Sequence, residues 1–133
     1  MSNAYMITPV EDDFLTINAE YFSEELKGRW PNAQFHFVSD PNASCTVQWE
    51  VQTEDGHKLI GNLFKQTGIS FDGINSLISA AKFAIWFRTI ISSPHRLFFY
   101  TEALEHEPIE ITNLTTAENI IDVYLGRENL TET

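Results

Sequence analysis

The chain predicts an α+β fold: an antiparallel β-sheet meander packed against a central apolar helix, with further helices at the N- and C-terminal ends. Three observations carry this. Residues 45–52 alternate apolar and polar side chains at period two, the mark of a strand with one dry and one wet face. Turn signals at Asp40-Pro41-Asn42, Asp55-Gly56 and Gly68 follow closely enough for hairpins. Residues 73–91 are apolar around most of a helical circumference. With 133 residues, no internal repeat and no low-complexity linker, the chain reads as one domain, its tail fraying from about residue 127.

The elements follow in order. Tyr5-Met6-Ile7-Thr8 is a short strand closed by Pro9. Asn18 to Arg29 reads as a helix with apolar Ala19, Tyr21, Phe22 and Leu26, and Asn18 as its cap. Asp12 or Asp13 offers an earlier start that would take in Phe14, Leu15 and Ile17. Trp30-Pro31 ends the helix, because the residue before proline is pushed out of the helical region. Residues 34–38 alternate as a strand. In residues 45–52 the inward set is Cys45, Val47, Trp49 and Val51. The return strand, residues 57–65, aligns Leu59, Gly61 and Leu63, and Ile69-Ser70-Phe71 continues a meander of three to five strands.

The central helix runs from Gly73 to about Ile91, its narrow polar stripe made by Asn75, Ser79, Lys82 and Thr89. Ser92-Ser93-Pro94 breaks it, and residues 96–100 read as a buried strand that completes a crossover around the helix. An acidic loop, 102–108, leads to an edge strand at Ile109-Glu110-Ile111. Thr115 and Glu118 fit a capping box for a last helix, residues 117–125, which buries Ile120, Ile121 and Tyr124 and ends at Gly126.

Composition bounds the function. Hydrophobic residues at 43% and aromatic residues at 13% exclude a disordered chain. The single Cys45 excludes an intrachain disulfide. A net charge of −11 repels nucleic acid and anionic lipid, so neither is an expected partner. The excess is uneven: residues 73–100 carry +3, whereas residues 101–133 carry −7. The most apolar run, residues 74–91, is interrupted by Lys82 and Arg88, so no membrane span is expected. The N-terminus lacks a basic segment followed by an apolar one, so a cytoplasmic location is expected and the sequons at Asn42, Asn113 and Asn129 carry no weight.

Few residues suggest chemistry. His36, His57, His95 and His106 are too far apart in sequence for a metal motif, and no cofactor is expected. Cys45 on an inward face behaves as a small hydrophobe rather than a thiolate. No G-x-S-x-G elbow or glycine-rich phosphate loop occurs. An enzyme with a site assembled around Arg88 and a histidine has no motif behind it, so the chain leans away from catalysis. Calcium would need six to eight converging oxygens, for which Glu11, Asp12 and Asp13 are one candidate cluster and Glu102, Glu105 and Glu107 another; solvated loop charges are the simpler reading.

Arg88 breaks the pattern of its helix, lying roughly 120–160° from the polar stripe. A buried guanidinium needs carboxylate or carbonyl partners, and Glu50, Glu102 and Asp72 are candidates. A structural ion pair explains it more simply than a ligand does. Its aromatic neighbours Trp86, Phe87, Phe98, Phe99 and Tyr100 read as core.

The run of residues 83–88, then Ser93-Pro94, residues 97–102 and residues 115–120 resembles a pattern in uncharacterised small bacterial proteins that include immunity-type proteins of toxin systems. The resemblance spans residues 83–125. It implies a shared helix-to-strand packing and supplies no catalytic residues. Taken with the charge, it leads to the expectation of a non-enzymatic, immunity-like or regulatory protein docking a basic protein through Glu102, Glu105, Glu107 and Glu110. The alternative is a calcium- or small-ligand-binding regulatory domain, with its site between the sheet and the acidic loop.

Overall fold

A computed structural model describes residues 4–10, 13–73, 77–91, 95–103 and 106–126. The elements are β1 (Ala4–Pro9), α1 (Ala19–Arg29), β2 (Gln34–Phe37), β3 (Cys45–Gln52), β4 (Lys58–Phe64), β5 (Ile69–Asp72), α2 (Leu77–Thr89), β6 (Leu97–Thr101), β7 (Ile109–Ile111) and α3 (Ala117–Leu125). The expected α+β architecture is what forms. The sheet is larger than a five-stranded meander, with seven strands in the order β2-β3-β4-β5-β1-β6-β7 and every neighbouring pair antiparallel. β2 to β5 are the local meander. β1 inserts between β5 and β6, which leaves those two parallel and joined through α2, the crossover that the sequence predicts.

All three helices pack on one face. Phe22 of α1 meets Trp49 of β3, Phe83 of α2 meets Trp49 and Phe71, and Tyr124 of α3 meets Phe99 of β6. This face is lined by Ile7, Val47, Val51, Leu59, Leu63, Ile69, Leu97 and Phe99, each at most 1% exposed. Phe83 is the hub of the aromatic core. Its ring stacks on Trp49 at 4.8 Å and 6°, stacks on Trp30 at 5.5 Å, and also meets Phe71, Trp86 and Phe87.

Local details depart from expectation for identifiable reasons. α1 begins at Ala19, with the Asn18 side chain accepting from the Tyr21 amide, so the earlier start at Asp12 or Asp13 is not taken. Instead Leu15 bridges to Thr67, its amide donating to the Gln66 carbonyl. A register shift between Cys45 and Val47 takes Cys45 out of the inward row. Its Sγ approaches the Val47 carbonyl and Asn62 Oδ1, and Asn62 faces away from the helices. Burial pushes the Cys45 thiol above its usual pKa, which disfavours the thiolate.

α2 is described from Leu77, so the expected opening at Gly73 and the stripe residue Asn75 bear on residues 74–76, outside the described set. The helix stops at Thr89, where the Ile90 and Ile91 amides tighten onto Phe87 and Arg88 carbonyls three residues back. Ser79 is not on a wet stripe. It is 1% exposed and faces the β3–β4 hairpin. The α3 capping box is one residue later than expected: Thr116 accepts from the Asn119 amide, and Asn119 Oδ1 accepts from the Thr116 amide. Thr115 is occupied elsewhere, accepting from the Thr112 amide. Gly126 ends α3 at φ 72° as expected, and the tail from 127 lies outside the described residues.

Candidate interaction surface

The sheet face turned away from the helices has no second layer among the described residues. Register sets its side chains in rows. One row runs Gln34, Glu50, Ile60, Asp72, Ala4. The Glu102 amide donates to the Ala4 carbonyl at 2.9 Å and extends this row past β6. The next row runs His36, Gln48, Asn62, Ser70, Met6, Tyr100. A shorter one aligns Thr8, Phe98 and Glu110. Ile60 remains 52% exposed, and Met6, Phe98 and Tyr100 are half-buried. Residues 96–100 are therefore not a strand buried on both faces. Phe99 is core, whereas Phe98 and Tyr100 belong to the open side.

The charges of this face are unequal. Lys58 is held by Glu50 at 3.3 Å, and Arg96 makes two hydrogen bonds to Glu110, from Nε at 3.1 Å and from Nη2 at 3.0 Å. Asp72, Glu102 and Glu107 are exposed, and among the described residues no cation pairs with any of them. Of the four acids expected to bind a partner, Glu102 and Glu107 are thus available, Glu110 is engaged, and Glu105 lies outside the described residues.

The Arg96 hydrogen bonds, reinforced by its charge and that of Arg88, hold Glu110 below its usual carboxyl pKa of 4.5. A depressed folded-state pKa contributes stability that is complete above the unfolded value and lost as pH falls through the folded one. Acid titration of the wild type is therefore expected to show a small stability loss that starts near pH 4.5 and finishes lower. In Arg96→Gln that increment should shrink, as read by thermal melts from pH 6 down to about pH 3. An undiminished increment in the variant would mean the pair does not act in solution.

Arg88 is buried, as its position predicts, but it makes no ion pair with Glu50, Glu102 or Asp72. Those acids lie on the open face, with the sheet between them and α2. Arg88 Nη1 donates to the His95 carbonyl at 2.7 Å, and His95 Nδ1 donates to Asp13 Oδ2 at 3.1 Å. The chain of contacts ties the end of α2 to the segments before β6 and α1, a structural role. Asp13 is therefore engaged by His95, and Glu11 and Asp12 lie outside the described residues. Among the described residues no three His, Cys, Asp or Glu side chains converge as a metal site.

One constellation was not anticipated. Ser79 Oγ lies 3.1 Å from Thr53 Oγ1, 3.2 Å from His57 Nδ1 and 3.5 Å from Asp55 Oδ2. It has the residues of a hydrolytic triad but the wrong wiring. The carboxylate addresses the serine instead of the second ring nitrogen, and the serine is closed to solvent. Asp55 also reaches Lys82 at 3.6 Å. The set fastens the β3–β4 hairpin to α2. No sequence signal could have joined residues on separate elements 22 to 26 positions apart.

No helix among the described residues is long and apolar enough to cross a membrane. No family model, curated protein or solved structure matches the chain.

Proposed function

We propose that this chain is a non-enzymatic interaction protein, immunity-like or regulatory, whose open sheet face docks a basic protein. One observation supports the reading above the others. Among the described residues, the sheet face away from the helices combines half-exposed apolar side chains with a charge set in which Lys58 and Arg96 are each held by an acid and Asp72, Glu102 and Glu107 are left over. In a protein interface apolar side chains supply buried area, while complementary charge accelerates encounter and selects the partner. The acidic excess of residues 101–133 and the resemblance of residues 83–125 to immunity-type proteins point the same way.

The test is capture from host lysate by three forms of the protein, with elution along a salt gradient. The first is the wild type. The second carries Asp72→Lys, Glu102→Lys and Glu107→Lys. The third carries Glu20→Lys, Glu24→Lys and Glu25→Lys on α1, an equal charge change on exposed acids of the helical side. A basic protein held by the first and third forms and lost by the second is the expected result. Equal retention by all three would overturn the proposal.

A further inference from the structure

Among the described residues the open face carries a concavity. About 680 Å³ of space lies where the end of β1 approaches β6 and the segment before β7, lined by Thr8, Pro9, Phe98, Tyr100, Glu107 and Pro108 together with Val10. Its walls are two aromatic rings and two prolines, its polar hydroxyls are already joined by the bond from Thr8 Oγ1 to Tyr100 Oη at 3.3 Å, and among the described residues its one carboxylate is Glu107. A wholly apolar ligand would make no use of that carboxylate, and an anion would be repelled by it. A long cationic side chain satisfies the whole lining: its stem lies along the rings, and its charge reaches both the π faces and the acid. A planar guanidinium suits ring walls better than an ammonium does.

The protein already uses this chemistry next door. The Arg96 guanidinium carbon lies 5.4 Å from the centre of the Phe98 ring. Arg96 does not line the concavity, and the two hydrogen bonds to Glu110 neutralise it, so it does not oppose an incoming cation.

We infer that this concavity is an anchor site for an arginine side chain of the basic partner, held between Phe98 and Tyr100 with its guanidinium at Glu107. The inference rests on the reading of the open face as a docking surface and names the partner residue that the face selects. Pairing with an exposed carboxylate and a cation–π contact are each modest, so removing either group should weaken binding about two- to fivefold.

The experiment uses the full chain and three short peptides of one design, alternating glycine with arginine, with lysine or with citrulline, the neutral isostere of arginine. Binding is followed by NMR, reading the ring protons of Phe98 and Tyr100, and repeated with Glu107→Gln and Tyr100→Leu. Glu107 is exposed, so Glu107→Gln leaves folding intact even if Tyr100→Leu does not. The expected result is salt-sensitive binding of the arginine peptide with shifts on both rings, weaker binding of lysine, loss with citrulline, and a two- to fivefold drop in Glu107→Gln. Ring shifts of equal size with citrulline would overturn the inference. So would arginine-peptide binding that leaves both rings and the Glu107→Gln affinity unchanged; the face would then attract cations diffusely, and the docking proposal would stand without its anchor. No binding by any cationic peptide, together with equal lysate retention by the three charge forms, would remove both.

Discussion

Replacing Phe83 with alanine is expected to cost about 3–5 kcal/mol, the range for emptying an aromatic core position. Phe83 has no solvent exposure and is in ring contact with Trp30, Trp49, Phe71, Trp86 and Phe87. Through Trp30 it reaches the end of α1, through Trp49 and Phe71 the sheet, and through Phe87 the rest of its own helix. Truncation leaves a cavity bounded by large rigid rings that cannot easily collapse into it, which places the cost toward the upper part of that range. Domains of this kind have total stabilities of about 5–15 kcal/mol, so the variant should be near the edge of folding. Phe98→Ala is the matched control. Phe98 is only half-buried on the open face, so its loss should cost about 1 kcal/mol. Urea unfolding of the two variants checks the pair, and a Phe83→Ala cost no larger than that of Phe98→Ala would contradict the assignment of the covered face.

The second large effect is at Gly68, in the β4–β5 turn. Its backbone is at φ 101°, and a Cβ there would press into the Ile7 carbonyl oxygen and lie 3.0 Å from the Thr8 Cα. Both neighbours are backbone atoms of β1, an interior strand paired on both sides, and cannot rotate away. Gly68→Ala therefore combines the left-handed penalty of about 1–2 kcal/mol with overpacking of about 1–3 kcal/mol. Gly56, at φ 82° in the β3–β4 hairpin, separates the two contributions because nothing lies within 4 Å of its Cβ position. Gly56→Ala should show the first penalty alone. Equal melting temperatures for the two variants would mean that the turn does not lie against β1.

These two sites also mark what the sequence discloses and what it does not. The period-two pattern of Val47, Trp49 and Val51 against Leu59, Gly61 and Leu63 is a local signal, and both strands form with those faces inward. The position of β1 is not local. Its pairing with β5 and β6 joins residues more than 60 positions apart, and nothing in Tyr5-Met6-Ile7-Thr8 specifies those neighbours. Thr115 and Thr116 each have a side-chain acceptor three residues on, Glu118 and Asn119, so two capping frames overlap. The choice falls to Thr116 because the preceding turn uses the Thr115 hydroxyl.

The same reasoning applies to the candidate surface. In Leu97-Phe98-Phe99-Tyr100 every residue is apolar or aromatic, so periodicity is silent about which side is open. The signal lies on the neighbouring strands, where Gln48, Asn62 and Ser70 occupy outward positions of a row that ends at Tyr100. The acidity of residues 102–110 is evident from composition. The engagement of Glu110 by Arg96 depends on the β6–β7 register and is not.

On the docking proposal, a basic partner meets the sheet face turned away from the helices. Hydroxyl-radical footprinting of the protein, with and without the basic protein captured by the wild type, tests it most directly, because it reads side chains rather than already protected strand amides. Met6, Ile60, Phe98 and Tyr100 should lose reactivity in the complex, while Phe14, Ile78 and Leu125, exposed outside that face, should keep theirs. Protection of Phe14, Ile78 or Leu125 with Phe98 and Tyr100 unchanged would place the partner on the helical side and overturn the docking proposal.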